Sequence, residues 1–186
     1  MPAKQEDLIF IIEPLHAKHD RIGFSSGVEV LDVYLHRHAG QDLRKHAAVP
    51  FVITPDGREI AGYYTLSQFA VDLDVVPVDL AKRFARYPMI SATLLGRLAV
   101  SREFRGQGLG RRLLMDALWR SLHLSTQIAS AGVIVDAKDT SAATFYKKYG
   151  FIDLPKIERR FFLPMDTIER LFQPESVSAL SKLKPD

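Results

Sequence analysis

Apolar and polar positions along this chain follow two rhythms, a repeat of four and a repeat of about two, and the switches between them outline a mixed α/β protein. Leu8 to Ile12 is a short apolar run that reads as an opening strand. From Val28 to His46, Leu31, Leu35, Ala39 and Leu43 recur every four residues and predict one amphipathic helix. Gly40 weakens that stripe by about 1 kcal/mol relative to Ala, which makes it the expected point for the helix to break in two. Arg37, Gln41 and Arg44 occupy the opposite face, with Lys45 at its edge. Two β-rich runs follow, Val49 to Thr54 and Glu59 to Phe69, and the Pro55-Asp56-Gly57-Arg58 between them is a hairpin signal.

Val75 to Pro88 reads as a loop with a short basic helix carrying Lys82, Arg83 and Arg86. Leu94 to Val100 is an apolar strand that contains Gly96 and Arg97. After a loop from Ser101 to Gly108, a helix is expected to about His123, with Leu113, Ala117, Leu118 and Leu122 on its buried face. Gly132 to Asp136 is a short apolar strand of the kind buried on both faces. Thr140 or Asp139 can cap a helix running to Tyr149, and Gly150 stands where it would end. Phe151 to Leu154 and Arg160 to Leu163 read as two last strands, and Asp166 to Phe172 as a terminal helical turn. The expectation is one α/β domain over residues 1–172, a mixed sheet with helices on its faces, then a polar, poorly ordered tail from 173 to 186.

Composition narrows the classes. A chain of 186 residues with 47% hydrophobic and 25% charged residues can bury a core. No stretch approaches the roughly 18 uninterrupted apolar residues of a membrane span. Acidic residues precede the short apolar run at the N-terminus, which argues against a secretory signal and for a cytoplasmic protein. The chain has no cysteine, which excludes disulfides, thiolate zinc sites and a cysteinyl acyl intermediate. Acyl transfer, if it occurs, would proceed by direct attack of the acceptor. A net charge of +3 permits a phosphate-rich partner without demanding one.

Arg105-Gly106-Gln107-Gly108-Leu109-Gly110 lies between an apolar strand and an amphipathic helix. The first turn of a helix leaves backbone N–H groups without intrahelical acceptors at the positive end of its dipole, and glycine lets a diphosphate approach them closely. Arg105 and Arg111 can add charge-assisted bonds to phosphate oxygens. A tight turn that needs glycine for its geometry is the competing reading. The spacing suits neither a dinucleotide-binding fold nor a P-loop, since no Gly-Lys-Ser/Thr follows. It fits an R/Q-x-x-G-x-G/A pyrophosphate loop at every fixed position.

Phe145-Tyr146-Lys147-Lys148-Tyr149-Gly150-Phe151 closes the next helix. Aromatic residues at helical spacing usually pack in the core, and Phe145 and Phe151 are read so. Tyr146 has a second reading, because phenol and thiol reference pKa values of about 10 and 8.5 are close enough to share a proton.

The R-G-Q-G-L-G loop after LGRLAV, with FYKKYGF further on, resembles the GNAT N-acetyltransferase superfamily. The resemblance implies a mostly antiparallel twisted sheet with a splayed central opening for acetyl-CoA. It implies that Arg105, Gly106, Gln107, Gly108, Leu109, Gly110 and Arg111 hold the pyrophosphate, and that the backbone of Leu98, Ala99 and Val100 bonds the pantetheine arm. Asp139 joins the cofactor residues and Tyr146 becomes general acid toward the CoA thiolate. The segments LDVYLHRHA, GYYTLS, ARYPMISATLLGRLAVSREFRGQGLGRRLL and DAKDTSAATFYKKYGF resemble more narrowly the toxin branch of that superfamily. That likeness implies acetylation of the α-amine of aminoacyl-tRNA, a ribbon-helix-helix antitoxin and a homodimer.

The chemistry of such an acceptor agrees with the residues. An α-amine, with a reference pKa of about 7.7 to 8.0, needs no strong base to attack a thioester. The carboxylates nearest the motifs are Asp136 and Asp139. Arg37, Arg44, Lys45, Arg83, Arg86 and Arg97, with Lys82, are candidates for tRNA phosphates, and solvated charged faces are the equal alternative. His36, His38 and His46 have no cysteine or carboxylate at ligand spacing, so no metal site is expected and they read as surface or RNA-facing. A protein or small-molecule amine as acceptor, and a non-catalytic acyl-CoA- or RNA-binding module, remain open alternatives.

Overall fold

The computed structural model describes residues 9–173, so Leu8 and the tail from 174 onward lie outside the described residues. In chain order the elements are β1 (Ile11–Pro14), α1 (Glu29–Val33), a π-helical turn (Tyr34–His38), α2 (Ala39–Arg44), β2 (Val49–Thr54) and β3 (Gly62–Asp72). A 3-10 turn (Leu73–Val75), α3 (Val78–Arg83), β4 (Met89–Val100), a second 3-10 turn (Arg102–Phe104) and α4 (Leu109–Ser125) follow. The chain continues through β5 (Gly132–Asp136), α5 (Thr140–Lys148), β6 (Ile152–Asp153), β7 (Arg160–Pro164) and α6 (Met165–Leu171). The seven strands are hydrogen-bonded in the order β1-β2-β3-β4-β5-β7-β6. The β1–β2, β5–β7 and β6–β7 pairs are antiparallel and β4–β5 is parallel, which gives the mixed sheet expected from the element order.

The described residues gather into two compact units, 9–65 with 97–114, and 66–96 with 115–173. In the first, Leu15, Phe24, Tyr34, Leu35, Ala39, Val52, Ile60, Tyr63 and Ala99 form the core, with Leu31 packed against it. The helix does not break at Gly40. It opens instead into a π-helical turn over Tyr34–His38. A strict repeat of four drifts by about 40° per step around an α-helix, and the wider π turn takes up that drift. Leu35 and Ala39 are thereby both fully buried.

β2 falls where its apolar pattern places it, while β3 starts at Gly62 rather than Glu59. The Asp56 carboxylate accepts the N–H groups of Arg58 (2.8 Å) and Glu59 (2.7 Å), and the Thr54 hydroxyl accepts the N–H of Gly57 (2.8 Å). Those bonds hold residues 57–59 in the turn.

In the second unit Val71, Val76, Leu80, Ile90, Ala92, Ile134, Leu154 and Phe162 form the core. β5 lies between β4 and β7, and Val133, Ile134 and Val135 are completely buried there. β4 begins at Met89, earlier than the apolar pattern suggests. Its polar residues are satisfied locally, Ser91 donating to the Ala129 carbonyl (2.8 Å) and Thr93 meeting the Ser130 hydroxyl (3.1 Å). Among the described residues no helix is long and apolar enough to cross a membrane.

Candidate active site

The glycine loop belongs to the first unit. Phe104 is buried and meets Phe10 edge-on at 5.8 Å, which anchors the 3-10 turn ahead of the loop. Gly106 (φ 76°) and Gly108 (φ 71°) both adopt the left-handed conformation that disfavours side chains. A Cβ on Gly106 would meet nothing within 4 Å, so the backbone there is open to an incoming group. The first backbone bond of α4 runs from the Arg112 N–H to the Gly108 carbonyl (3.2 Å). The backbone N–H groups of Leu109 and Gly110 precede it, at the positive end of the helix dipole. Leu109 is buried and fixes the helix start, while Gln107 is exposed. Arg105 is exposed, and its guanidinium donates to the Ser26 carbonyl rather than standing clear of the protein.

The backbone of Leu98, Ala99 and Val100 precedes this loop. The β4–β5 register covers Thr93 to Leu95, and β4 continues to Val100. A Cβ on Gly62 would come within 2.9 Å of the Ala99 carbonyl, so that oxygen is turned toward β3. Strand alternation points the peptide groups of Leu98 and Val100 the other way. These two, more than Ala99, can accept an extended ligand.

Arg37, Arg44 and Lys45 are exposed on the π turn and at the end of α2. Arg97 is partly committed, because its guanidinium lies 3.6 Å from the centre of the Tyr34 ring, which itself stacks on Tyr63. The Tyr34 hydroxyl donates to Asp42 (3.0 Å), and burial together with that carboxylate pushes the phenol well above its usual range. His36 is half-buried against the Phe24 carbonyl (2.8 Å), so it is not simply the surface residue the sequence suggested.

Tyr146 belongs to the second unit. Asp139 caps α5 by accepting the Ala142 N–H (2.8 Å), and the helix then places Tyr146 in its last turn. Tyr146 is 7% exposed, packed near Phe145 (5.3 Å) and Phe151 (5.4 Å). Burial, with a smaller contribution from the Asp136 charge, pushes its phenol far above the usual tyrosine range, so the proton stays on.

Asp136 and Asp139, the carboxylates nearest the motifs, are both engaged. Arg160 holds Asp136 with two bonds (2.6 and 2.9 Å) and lies over the Phe69 ring (5.0 Å). Asp139 accepts its cap and a Lys138 ion pair (2.9 Å), and those bonds hold its carboxyl below the usual range. Of the basic residues in this unit, Lys82 and Arg86 are exposed and Arg83 pairs with Asp166 (2.9 Å). Arg83 and Asp166 also line a cleft of about 470 Å³ with Phe84, Tyr87, Met89 and Met165, a feature with no signal in the sequence. Arg160 and the residues that hold Arg105 were likewise missed, since their partners are distant along the chain.

Comparison with known proteins gives a consistent result. A family model described as acetyltransferase (GNAT) domain matches residues 49–153. The chain is 30% identical over 174 residues to the probable toxin TacT of Sinorhizobium fredii, covering 87% of this chain and 94% of that protein. A structure of AtaT complexed with acetyl-methionyl-tRNAfMet superposes with a TM-score of 0.82 at 30% identity, over 89% of this chain and 100% of that one. A tyrosine-to-phenylalanine mutant of the AtaT toxin, bound to the C-terminus of the antitoxin AtaR and acetyl-CoA, superposes with a TM-score of 0.76 at 30% identity, over 88% and 98%.

Proposed function

The chain belongs to the GNAT acetyltransferase family, an acetyl-CoA-dependent class, and from that premise we propose that it acetylates the α-amine of aminoacyl-tRNA as the toxin of a toxin–antitoxin pair. The observation that carries the acceptor is the likeness, along the whole of its partner, to a structure holding an acetylated aminoacyl-tRNA. The residues agree with it. Asp136 and Asp139 are both engaged, which suits an acceptor whose amine is largely neutral near pH 8 and needs positioning more than a base.

Acetyl-CoA supplies an activated acetyl thioester. The N–H groups at the start of α4, with Arg105 and Arg111, hold the diphosphate, and the Leu98 and Val100 peptide groups align the pantetheine arm. The acceptor nitrogen bonds to the acetyl carbon as the carbon–sulfur bond breaks. Tyr146 gives its proton to the departing sulfur, and the amine releases one to water. Asp139 contributes indirectly, by setting the helix that carries Tyr146. Arg37, Arg44, Lys45, Arg83, Arg86 and Arg97 take tRNA phosphates, Arg83 by exchanging Asp166 for one. The proposal extends, on the resemblance of the sequence to the toxin branch, to a cytoplasmic homodimer silenced by a ribbon-helix-helix antitoxin.

Release of the CoA thiol tests this reading, measured with a charged tRNA pool and with the same pool deacylated. The proposal expects release with the charged pool alone. Release with neither, or equally with both, overturns it.

A further inference from the structure

Ser25, Ser26 and Gly27 form a turn just ahead of α1, and its polar groups face in two directions. On one side the Asp32 carboxylate accepts four hydrogen bonds, from the Ser25 hydroxyl (3.3 Å), the Ser26 N–H (2.8 Å), the Ser26 hydroxyl and the Gly27 N–H (3.2 Å). On the other side the Ser25 carbonyl accepts the Arg102 N–H (2.9 Å), and the Ser26 carbonyl accepts the Arg105 guanidinium. Burial pushes the Asp32 carboxyl up, and these bonds together outweigh it and hold the group ionised below its usual range.

The two sides are joined through single peptide groups. The Ser25 carbonyl and Ser26 N–H belong to one peptide, and the Ser26 carbonyl and Gly27 N–H to the next. Each peptide therefore has its N–H on the Asp32 carboxylate and its oxygen on the segment 102–105. A carboxylate on the N–H side polarises the peptide and makes its oxygen a better acceptor for a guanidinium. Helix capping alone does not account for this pattern. Reaching back to N–H groups ahead of a helix is a capping role, but the carbonyls held by Arg102 and Arg105 lie outside it.

We propose that Asp32 is a positioning residue for the acyl donor: through the 25–27 peptides it sets Arg105 and the glycine loop to receive the diphosphate of CoA. The proposal rests on the assignment of that loop in the preceding subsection. Asp32 touches no ligand itself. Its effect is confined to ligands that carry the diphosphate, because the pantetheine arm meets a different stretch of backbone.

Calorimetry with CoA and with pantetheine, which lacks the diphosphate, separates this from a structural role. In Asp32→Asn the dissociation constant for CoA rises about tenfold, the scale of one charge-assisted hydrogen bond, while that for pantetheine stays within about twofold. An equal rise for both ligands makes Asp32 structural and overturns the proposal, as does no rise for either. Arg105→Met changes an exposed side chain and serves if Asp32→Asn fails to fold. It must show the same CoA-selective loss, and an unchanged CoA affinity would leave Asp32 nothing to act through. In the double variant the loss does not exceed that of the larger single one, whereas additive losses refute the connection. A wild-type protein that binds the two ligands equally well would instead sink the loop assignment, and Asp32's role with it.

Discussion

Tyr146→Phe removes one oxygen and little else, because the ring keeps its neighbours Phe145 and Phe151. The fold and the glycine loop should therefore survive, and the loss should fall on the chemical step. General acid catalysis contributes about 10² to 10⁴ in rate. Burial raises the phenol well above the thiol reference of about 8.5, so transfer to the thiolate is uphill and the lower end of that range applies. A fall in kcat on the order of 100-fold, about 2.7 kcal/mol in activation free energy, is expected. Acetyl-CoA affinity should remain within roughly threefold, since the charge-assisted contacts proposed for the diphosphate are untouched. Steady-state kinetics beside calorimetry of acetyl-CoA binding measures both quantities. The pH profile adds a check. Tyr146 holds its proton throughout the neutral range, so the rise of kcat/KM toward about pH 8 belongs to the acceptor amine and keeps its midpoint in the variant. A kcat within threefold of wild type would refute the proton-donor role, and parallel losses in kcat and binding would make Tyr146 a packing residue.

Three further outcomes follow from other parts of the molecule. Gly62→Ala forces a Cβ against the Ala99 carbonyl and Leu113, both at 2.9 Å, and should cost about 1 to 3 kcal/mol in chemical unfolding while raising the KM for acetyl-CoA. Asp139 has a lowered carboxyl pKa, so its contribution is present above its unfolded value near 4 and is lost as the pH falls through the folded one. The Tm gap between wild type and Asp139→Ala should accordingly narrow as the pH is lowered below about 4, and a gap that stays constant on acidification would assign the effect to packing. Replacing Arg44 and Lys45 by Gln should reduce the salt dependence of KM for charged tRNA by about two in log–log slope, whereas an unchanged slope would leave those residues on a solvated face.

Much of the framework was legible because local pattern and tertiary role coincide. β2 and β5 are apolar runs whose buried neighbours demand that composition, and Asp139 and Gly150 bracket α5 as caps do. The glycine loop was legible because its backbone conformation requires glycine at Gly106 and Gly108. Where polar residues serve the fold, the pattern misled. Ser91 and Thr93 hid the first half of β4, and the Asp56 turn took residues that look like the start of β3. The π turn was invisible because a repeat of four reads as an α-helix until its angular drift is followed over several turns. The claims of Arg160 on Asp136 and of Ser26 on Arg105 join residues 24 and 79 apart, and nothing local marks such a pair.

The chemical identity of the acceptor can be read on the reaction product itself. Charged tRNA is incubated with the protein and acetyl-CoA, digested with a nuclease that frees the 3′-terminal aminoacyl-adenosine, and the fragment is analysed by tandem mass spectrometry. A gain of one acetyl group located on the amino-acid nitrogen is expected. An unmodified fragment, or an acetyl group found on a protein amine or a nucleobase instead, would contradict it.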